Sequence, residues 1–401
     1  MATPLLDVDA ALQRLLDGVT ALPAESVPIA SAAGRVLAEP VAARLTQPPF
    51  AAAAMDGYAI RWDDRPGPWH IVGESAAGHG WAGTLGPGEA ARIFTGAPLP
   101  AGADTIMVQE DVTRDGDTAR LTGDGPPHEG AHIRKRGQDF AAADALLAPG
   151  TRLTPAHIGL AAAAGHGALQ VIRRPRVTLI STGDELVPPG TLPGPDQIVS
   201  SNAVMLGALF AAVGADVHDP GIIPDRRDAL AAALTAAKAD LIITIGGASV
   251  GEHDLVVPVL RDLGAELDFW KIAMRPGKPL LAGRLGGTRV IGLPGNPVSS
   301  YVGALLFVLP LLQRLGGRAA DLPMRRLPLA APLPANGVRR DHLRGRLTPD
   351  GRAEAFARQD SALLALLADA DLLIVRAPGA AAAKTDDLVD CIMLDTFAPV
   401  A

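Results

Sequence analysis

The chain has 401 residues, 48% of them hydrophobic, and a formal net charge of −7. That length sets an expectation of roughly two to four domains. The negative balance argues against a nucleic-acid surface, because phosphate backbones are bound by clustered Lys and Arg. The only cysteine, Cys391, allows neither an internal disulfide nor a thiolate cluster, so any metal here is to be held by oxygens. Apolar runs such as Val302 to Leu312 are shorter than a bilayer span, and the first residues lack the basic-then-apolar pattern of a signal peptide. The expectation is a cytoplasmic protein with no membrane contact.

In chain order, residues 5–18 carry apolar positions at helical spacing, with Asp7 as N-cap and Gly18 as stop. From about Val27 to Phe140 the chain breaks into short apolar pieces separated by Gly, Pro and Asp, the pattern of strands and loops. The basic run Arg134, Lys135, Arg136 in this stretch has the character of a solvated face. A helix is predicted from Pro155, closed by Gly165 and Gly167. From Arg176 onward, apolar strands near 176–181, 215–219, 239–246 and 288–293 alternate with helices near 202–214, 225–239, 254–264 and 296–312. Continuous apolar strands separated by helices predict a parallel sheet covered on both faces. After Gly317 short alternating pieces with prolines predict a small C-terminal β domain.

In such sheets ligands bind in the loops at the carboxyl ends of the strands. One of these loops holds Thr182, Gly183, Asp184 and Glu185; the bland alternative is an ordinary turn. Another, "IGGASVGEHD", has Gly246 and Gly247 at the strand end, followed by Ser249, Gly251 and Asp254, so backbone N–H groups can approach an anion. A further loop carries Pro294 and Pro297 at the start of a helix, whose free N–H groups favour anions. Just upstream, Lys271, Arg275 and Lys278 sit on a Pro- and Gly-rich connection where they can face a phosphate or oxyanion. Glu185 and Asp254 beside an anion site suit a bridging Mg²⁺, which takes a few carboxylates plus water and phosphate oxygens. Asp225 is either another acid of this set or the N-cap of its helix. Gly247, Ser249 and Gly251 also meet the spacing of a nucleophile elbow, but no partner histidine is singled out among the nine present.

Taken in order, "AMDGYAIR", "RIFTGAPLPAGADTIMVQED", "IRKRGQDF", "STGDEL", "IVSSN", "IGGASVGEHD", "MRPGKPL" and "GLPGNPVSS" closely resemble the molybdopterin molybdenumtransferases, the MoeA and gephyrin E-domain family. The resemblance covers nearly the whole chain. It implies a multidomain α/β fold: a three-layer α/β molybdopterin-binding domain with a mostly parallel sheet (residues 1–22 and 171–322), a small α/β linker domain (23–46 and 141–170), a β-rich inserted domain (47–140) and a C-terminal β-barrel-like domain (323–401). It further implies molybdenum cofactor biosynthesis: molybdopterin adenylate and molybdate as substrates, Mg²⁺-dependent cleavage of the phosphoanhydride, release of AMP, and capture of molybdenum by the dithiolene.

By the same resemblance, Asp56, Thr95, Asp139, Glu185, Asp225 and Asp254 carry the chemistry, with Glu185 and Asp254 on the metal. Gly246, Gly247, Ser249, Gly251, Lys271, Arg275, Lys278, Pro294, Pro297, Arg344 and Ser361 bind substrate, phosphate or molybdate, the last two reaching in from the C-terminal domain. The implied assembly is a homodimer with its active site at the subunit interface, in transient contact with the molybdopterin adenylyltransferase and with molybdoenzyme maturation factors. Three positions depart from the family pattern: Gln138 replaces Glu, Asp360 replaces Gly, and Asp369 replaces Asn. Two other readings stay open, a molybdopterin adenylyltransferase and a non-catalytic molybdate- or cofactor-binding scaffold. Against the first, the loop at 246–251 lacks the Gly-Gly-Thr-Gly usual in that enzyme.

Overall fold

The computed structural model describes residues 5–246 and 255–395. The chain forms two compact units: Met1–Glu25, Gly34–Ala38 and Val171–Ala401 make one, Ser26–Ala33 and Glu39–Gln170 the other.

The first unit is built on a mixed sheet with strand order Asp216–His218, Arg176–Thr182, Leu241–Ile245, Thr288–Leu293, Pro279–Leu285 and Glu266–Lys271. The first four of these run parallel. The strand Pro279–Leu285 is antiparallel to both of its neighbours. The Pro- and Gly-rich connection that carries Arg275 and Lys278 is the turn of this hairpin, with Lys271 at the end of the strand before it. Helices Val8–Leu16, Asn202–Ala212 and the run from Pro297 to Leu315 cover one face, and Arg227–Ala236 and Val256–Asp262 cover the other. Leu241 to Ile245 are all buried, as expected of a strand covered on both sides.

The helical run from Pro297 to Leu315 is 19 residues, longer than the apolar stretch that marks it in sequence, and 89% of its most apolar window is buried in the core. Length and composition alone would let it cross a membrane; here it is a core helix. Its middle, Ala304–Val308, widens into a π-helical turn just before Pro310. Proline has no N–H to donate and crowds the carbonyl four residues back, and a wider turn relieves that crowding. At the other end of the core, Asp7 caps the first helix, its Oδ1 accepting from the N–H groups of Asp9 (2.9 Å) and Ala10 (3.3 Å).

The C-terminal part of this unit is a second sheet, ordered Met274–Arg275, Arg340–Leu347, Leu372–Arg376, Leu388–Met393 and Met324–Pro328. One of its members, Met274–Arg275, is therefore lent by the turn of the α/β hairpin. Cys391 is fully buried there. Burial, with the Asp390 charge adding to it, pushes the thiol up to about 12, so it stays protonated.

The second unit carries a sheet ordered Thr105–Val108, Gly57–Ile60, Glu89–Ile93, Trp69–Ser75, Thr118–Leu121 and Val112–Asp115, and the helical segments between its strands are short 3₁₀ turns. Its helix, Pro155–Ala163, opens on a capping box: the Thr154 hydroxyl accepts from the His157 N–H, and the His157 ring accepts from the Thr154 N–H.

Candidate active site

The carboxyl ends of the α/β strands gather the loops singled out in sequence. At the end of Arg176–Thr182, Gly183 has φ of +151°, and a Cβ there would lie 2.5 Å from the Glu185 Oε2. The backbone angle favours glycine, and a larger residue would displace the end of the exposed Glu185 side chain. The neighbouring acids are paired through their backbones: Asp225 N–H donates to Asp184 Oδ1 (3.1 Å) and Asp184 N–H to Asp225 Oδ2 (3.4 Å). Asp225 is thus not a helix cap; Arg226 occupies that place, with no side-chain cap. Gly246 has φ of +87° and donates its N–H to the Leu293 carbonyl at 3.0 Å, which brings the ends of two adjacent strands together. Gly247, Ser249, Gly251 and Asp254 lie outside the described residues. Among the described residues no three His, Cys, Asp or Glu side chains are grouped to hold a metal. Exposed carboxylates of the 183–185 loop still suit Mg²⁺, which needs one or two of them when water and phosphate oxygens complete its shell.

Strand register puts Lys271 opposite Pro279, so Lys271 and Lys278 stand at the same edge of the sheet. Both are exposed and, among the described residues, neither forms an ion pair. Arg275 differs, being paired with the buried carboxylate of Asp341. Pro294 and Gly295 lead to Asn296 and to Pro297, the first residue of the core helix. Asn202 holds this turn, its Nδ2 donating to the Gly295 carbonyl at 2.6 Å. Ser361 lies against it: its hydroxyl accepts from Asn296 Nδ2 at 3.1 Å, and its carbonyl accepts the Val298 N–H at 3.1 Å.

Arg344 does not project into the open. It is 1% exposed, and its guanidinium donates to the carbonyls of Leu363 (2.9 Å), Asp360 (2.9 Å) and Arg358 (3.5 Å). Its influence runs through the loop that delivers Ser361. In that loop the Asp360 carboxylate turns back to accept the Ala362 N–H at 2.8 Å. Asp369 closes the short helix Leu364–Ala368.

In the second unit, Asp56 and Thr95, 39 positions apart in sequence, are locked together: Asp56 Oδ1 accepts from the Thr95 N–H (2.7 Å) and hydroxyl (2.8 Å). The Thr95 backbone, then its hydroxyl, holds the Asp56 carboxyl below the usual carboxylate range, aided by the Arg92 charge. Arg92, which sequence reasoning passed over, donates to the Gly57 carbonyl (3.0 Å) and to Gln109 Oε1 (2.6 Å), with its guanidinium over the Tyr58 and Phe94 rings. Its signal lay in the "RIFTG" motif itself. Asp139 stands apart from this pair, its N–H bound to the Gln47 carbonyl at 3.0 Å. Gln138 accepts the Lys135 N–H at 3.0 Å, so the neutral amide closes the turn after the basic run. Asn202 and Asp341 are further residues that spacing did not single out; their roles come from partners distant in sequence.

A sheet edge carrying exposed lysines, carboxylates and the start of a helix is the kind of place where α/β enzymes take anionic ligands. Comparisons give the family. Models of the MoeA N-terminal region (domain I and II), of a probable molybdopterin binding domain and of the MoeA C-terminal region (domain IV) match residues 6–165, 178–314 and 326–394. The molybdopterin molybdenumtransferase of Synechococcus elongatus is 36% identical over 389 residues, 91% of this chain and 94% of that one. That of a Nostoc species is 39% identical over 307 residues, 74% and 70% of the two chains. Among solved structures, a molybdopterin biosynthesis MoeA protein of Pyrococcus horikoshii superposes with a TM-score of 0.83 at 31% identity, covering 97% of this chain and 99% of its own. The chain belongs to the molybdopterin molybdenumtransferase family, enzymes of molybdenum cofactor biosynthesis.

Proposed function

We propose that the enzyme inserts molybdenum from molybdate into adenylylated molybdopterin, cleaving the phosphoanhydride with release of AMP. The observation that carries this reading is the convergence of Glu185, Asp225, Gly246, Lys271, Lys278 and Pro294 at one edge of one sheet. With the Gly246 N–H committed to the Leu293 carbonyl, the dipole at the start of the Pro297 helix meets the phosphate and oxyanion groups, and Lys271, Arg275 and Lys278 offset the charge that grows on the leaving phosphate. Glu185 and Asp254 are the residues to hold Mg²⁺, which supplies charge neutralisation on the phosphate oxygens when bound. Asp56 keeps Thr95 in place, and Asp139 adds a carboxylate from the same unit. Ser361, braced by Arg344, lies against the turn that leads into that helix.

The working form in this reading is a cytoplasmic homodimer with its active site at the subunit interface. It receives substrate from the molybdopterin adenylyltransferase and passes product to molybdoenzyme maturation factors.

The test is AMP release from molybdopterin adenylate in the presence of Mg²⁺ and molybdate. Wild-type protein is expected to release AMP, with Glu185→Ala and Asp254→Ala at least about a hundredfold slower, the scale of losing a charge stabiliser at the reacting centre. Wild-type rates in both variants would overturn the residue assignment, and no release by the wild type would overturn the reaction.

A further inference from the structure

We propose that Asp341, a residue of the C-terminal sheet, is a positioning residue that aims the Arg275 guanidinium at the anionic part of the substrate. This rests on the placement of Arg275 at the substrate site given above.

The inference begins with sheet register. The two-residue strand Met274–Arg275 pairs in parallel with Arg340 and Asp341, and the Arg340 N–H donates to the Ala273 carbonyl at 2.7 Å. Backbone pairing thus brings a segment of the α/β hairpin turn into the C-terminal sheet. Two successive side chains of the receiving strand then fasten it. Arg340 reaches the first helix, with Nη1 and Nη2 donating to Asp9 Oδ1 (2.7 Å) and Oδ2 (2.6 Å). Asp341 Oδ2 accepts from Arg275 Nη2. His342 is 3% exposed, and its Nδ1 has no partner among the described residues. Strand register and the Asp341 carboxylate thus hold the backbone and the side chain of Arg275 from one strand.

The asymmetry of the ion pair says which partner acts on which. The Asp341 side chain is 6% exposed and the Arg275 side chain 58%. A buried carboxylate is costly unless it is paired, so Asp341 is committed to this contact, whereas Arg275 keeps most of its donors in the open. A guanidinium is a planar fork with several N–H groups; with one nitrogen tied to Asp341, the remaining donors sweep a narrower range of directions. Lys271 and Lys278 on the same turn have no such tie. Among these cations Arg275 is the one whose geometry is restricted before an anion arrives, the condition for orientation to lower a barrier or tighten binding.

A double-mutant cycle on the full-length protein separates aiming from mere cross-linking. Asp341→Asn, Arg275→Ala and the double variant are compared by steady-state AMP release and by calorimetric binding of molybdate and of inorganic phosphate. Asp341→Asn leaves a solvated Arg275 and no orphaned buried charge, so the fold is retained. The expected result is a fall of about tenfold in kcat/KM and a rise of about tenfold in the dissociation constants, with no further loss when Asp341→Asn is added to Arg275→Ala. Additive losses, or wild-type kcat/KM and affinities in Asp341→Asn, overturn the proposal. A wild type that binds the probes without releasing AMP overturns the reaction proposed above and leaves the binding cycle to judge Asp341. Failure to bind either probe overturns both.

Discussion

Gly183 holds a backbone angle that other residues avoid, with the Glu185 carboxylate against it. Any L side chain there faces φ of +151° and a Glu185 oxygen 2.5 Å from its Cβ. Gly183→Ala is expected to destabilise the protein by on the order of 1 kcal/mol through backbone strain and to push the Glu185 carboxylate aside. AMP release should fall about tenfold or more, with secondary structure by circular dichroism unchanged. Full activity in this variant would show that Glu185 does not need its present position. The residue scale is also where the sequence was least legible. Nothing in the spacing of Asp56 and Thr95 announces their contact, and Asp341 looks like one more polar residue of a β strand. Both acquire meaning only from a partner brought in by the fold.

Elements were easier to read than contacts. The helices Val8–Leu16, Pro155–Ala163 and Asn202–Ala212, and the buried strands Arg176–Thr182, Leu241–Ile245 and Thr288–Leu293, follow from hydrophobic period and capping residues. The hairpin strands Glu266–Lys271 and Pro279–Leu285 did not declare themselves. The first lies at the sheet edge with exposed Glu266 and Asp268, so its apolar run is broken, and Pro276 and Gly277 beside it carry the composition of a loop. Ends were less legible than elements: the first helix and the helices at Arg227–Ala236 and Val256–Asp262 are shorter than their apolar patterns, and the core helix continues past the polar Gln313 and Arg314 to Leu315. The strand-end loops were legible as places for a ligand because parallel sheets put ligands there. Their chemistry needed the resemblance as well as the residues.

For the molecule as a whole, acid should bite where His342 is buried. Burial, reinforced by the Arg340 charge and only partly offset by the hydrogen bond to the Arg275 backbone, lowers its pKa to about 4. An unfolded chain holds a histidine near 6.5, so between these values the unfolded state binds more protons and stability falls as pH falls. The loss is on the order of 3 kcal/mol between pH 6.5 and 4. His342→Gln should flatten that limb of a Tm-against-pH profile, and an unchanged slope would assign the acid sensitivity elsewhere. The proposed assembly has its own check. If each site draws on two subunits, mixing inactive Asp56→Asn with inactive Glu185→Ala protein and allowing exchange should restore about a quarter of wild-type activity, because half the dimers carry one intact site. No recovery after verified exchange would place each site within a single chain.

The strand that Met274 and Arg275 lend to the C-terminal sheet also has a meaning in time. Asp341 lies 66 positions after Arg275, so a ribosome has finished the α/β layers before the carboxylate that grips this arginine exists. The scaffold can be complete while the grip on the arginine is not.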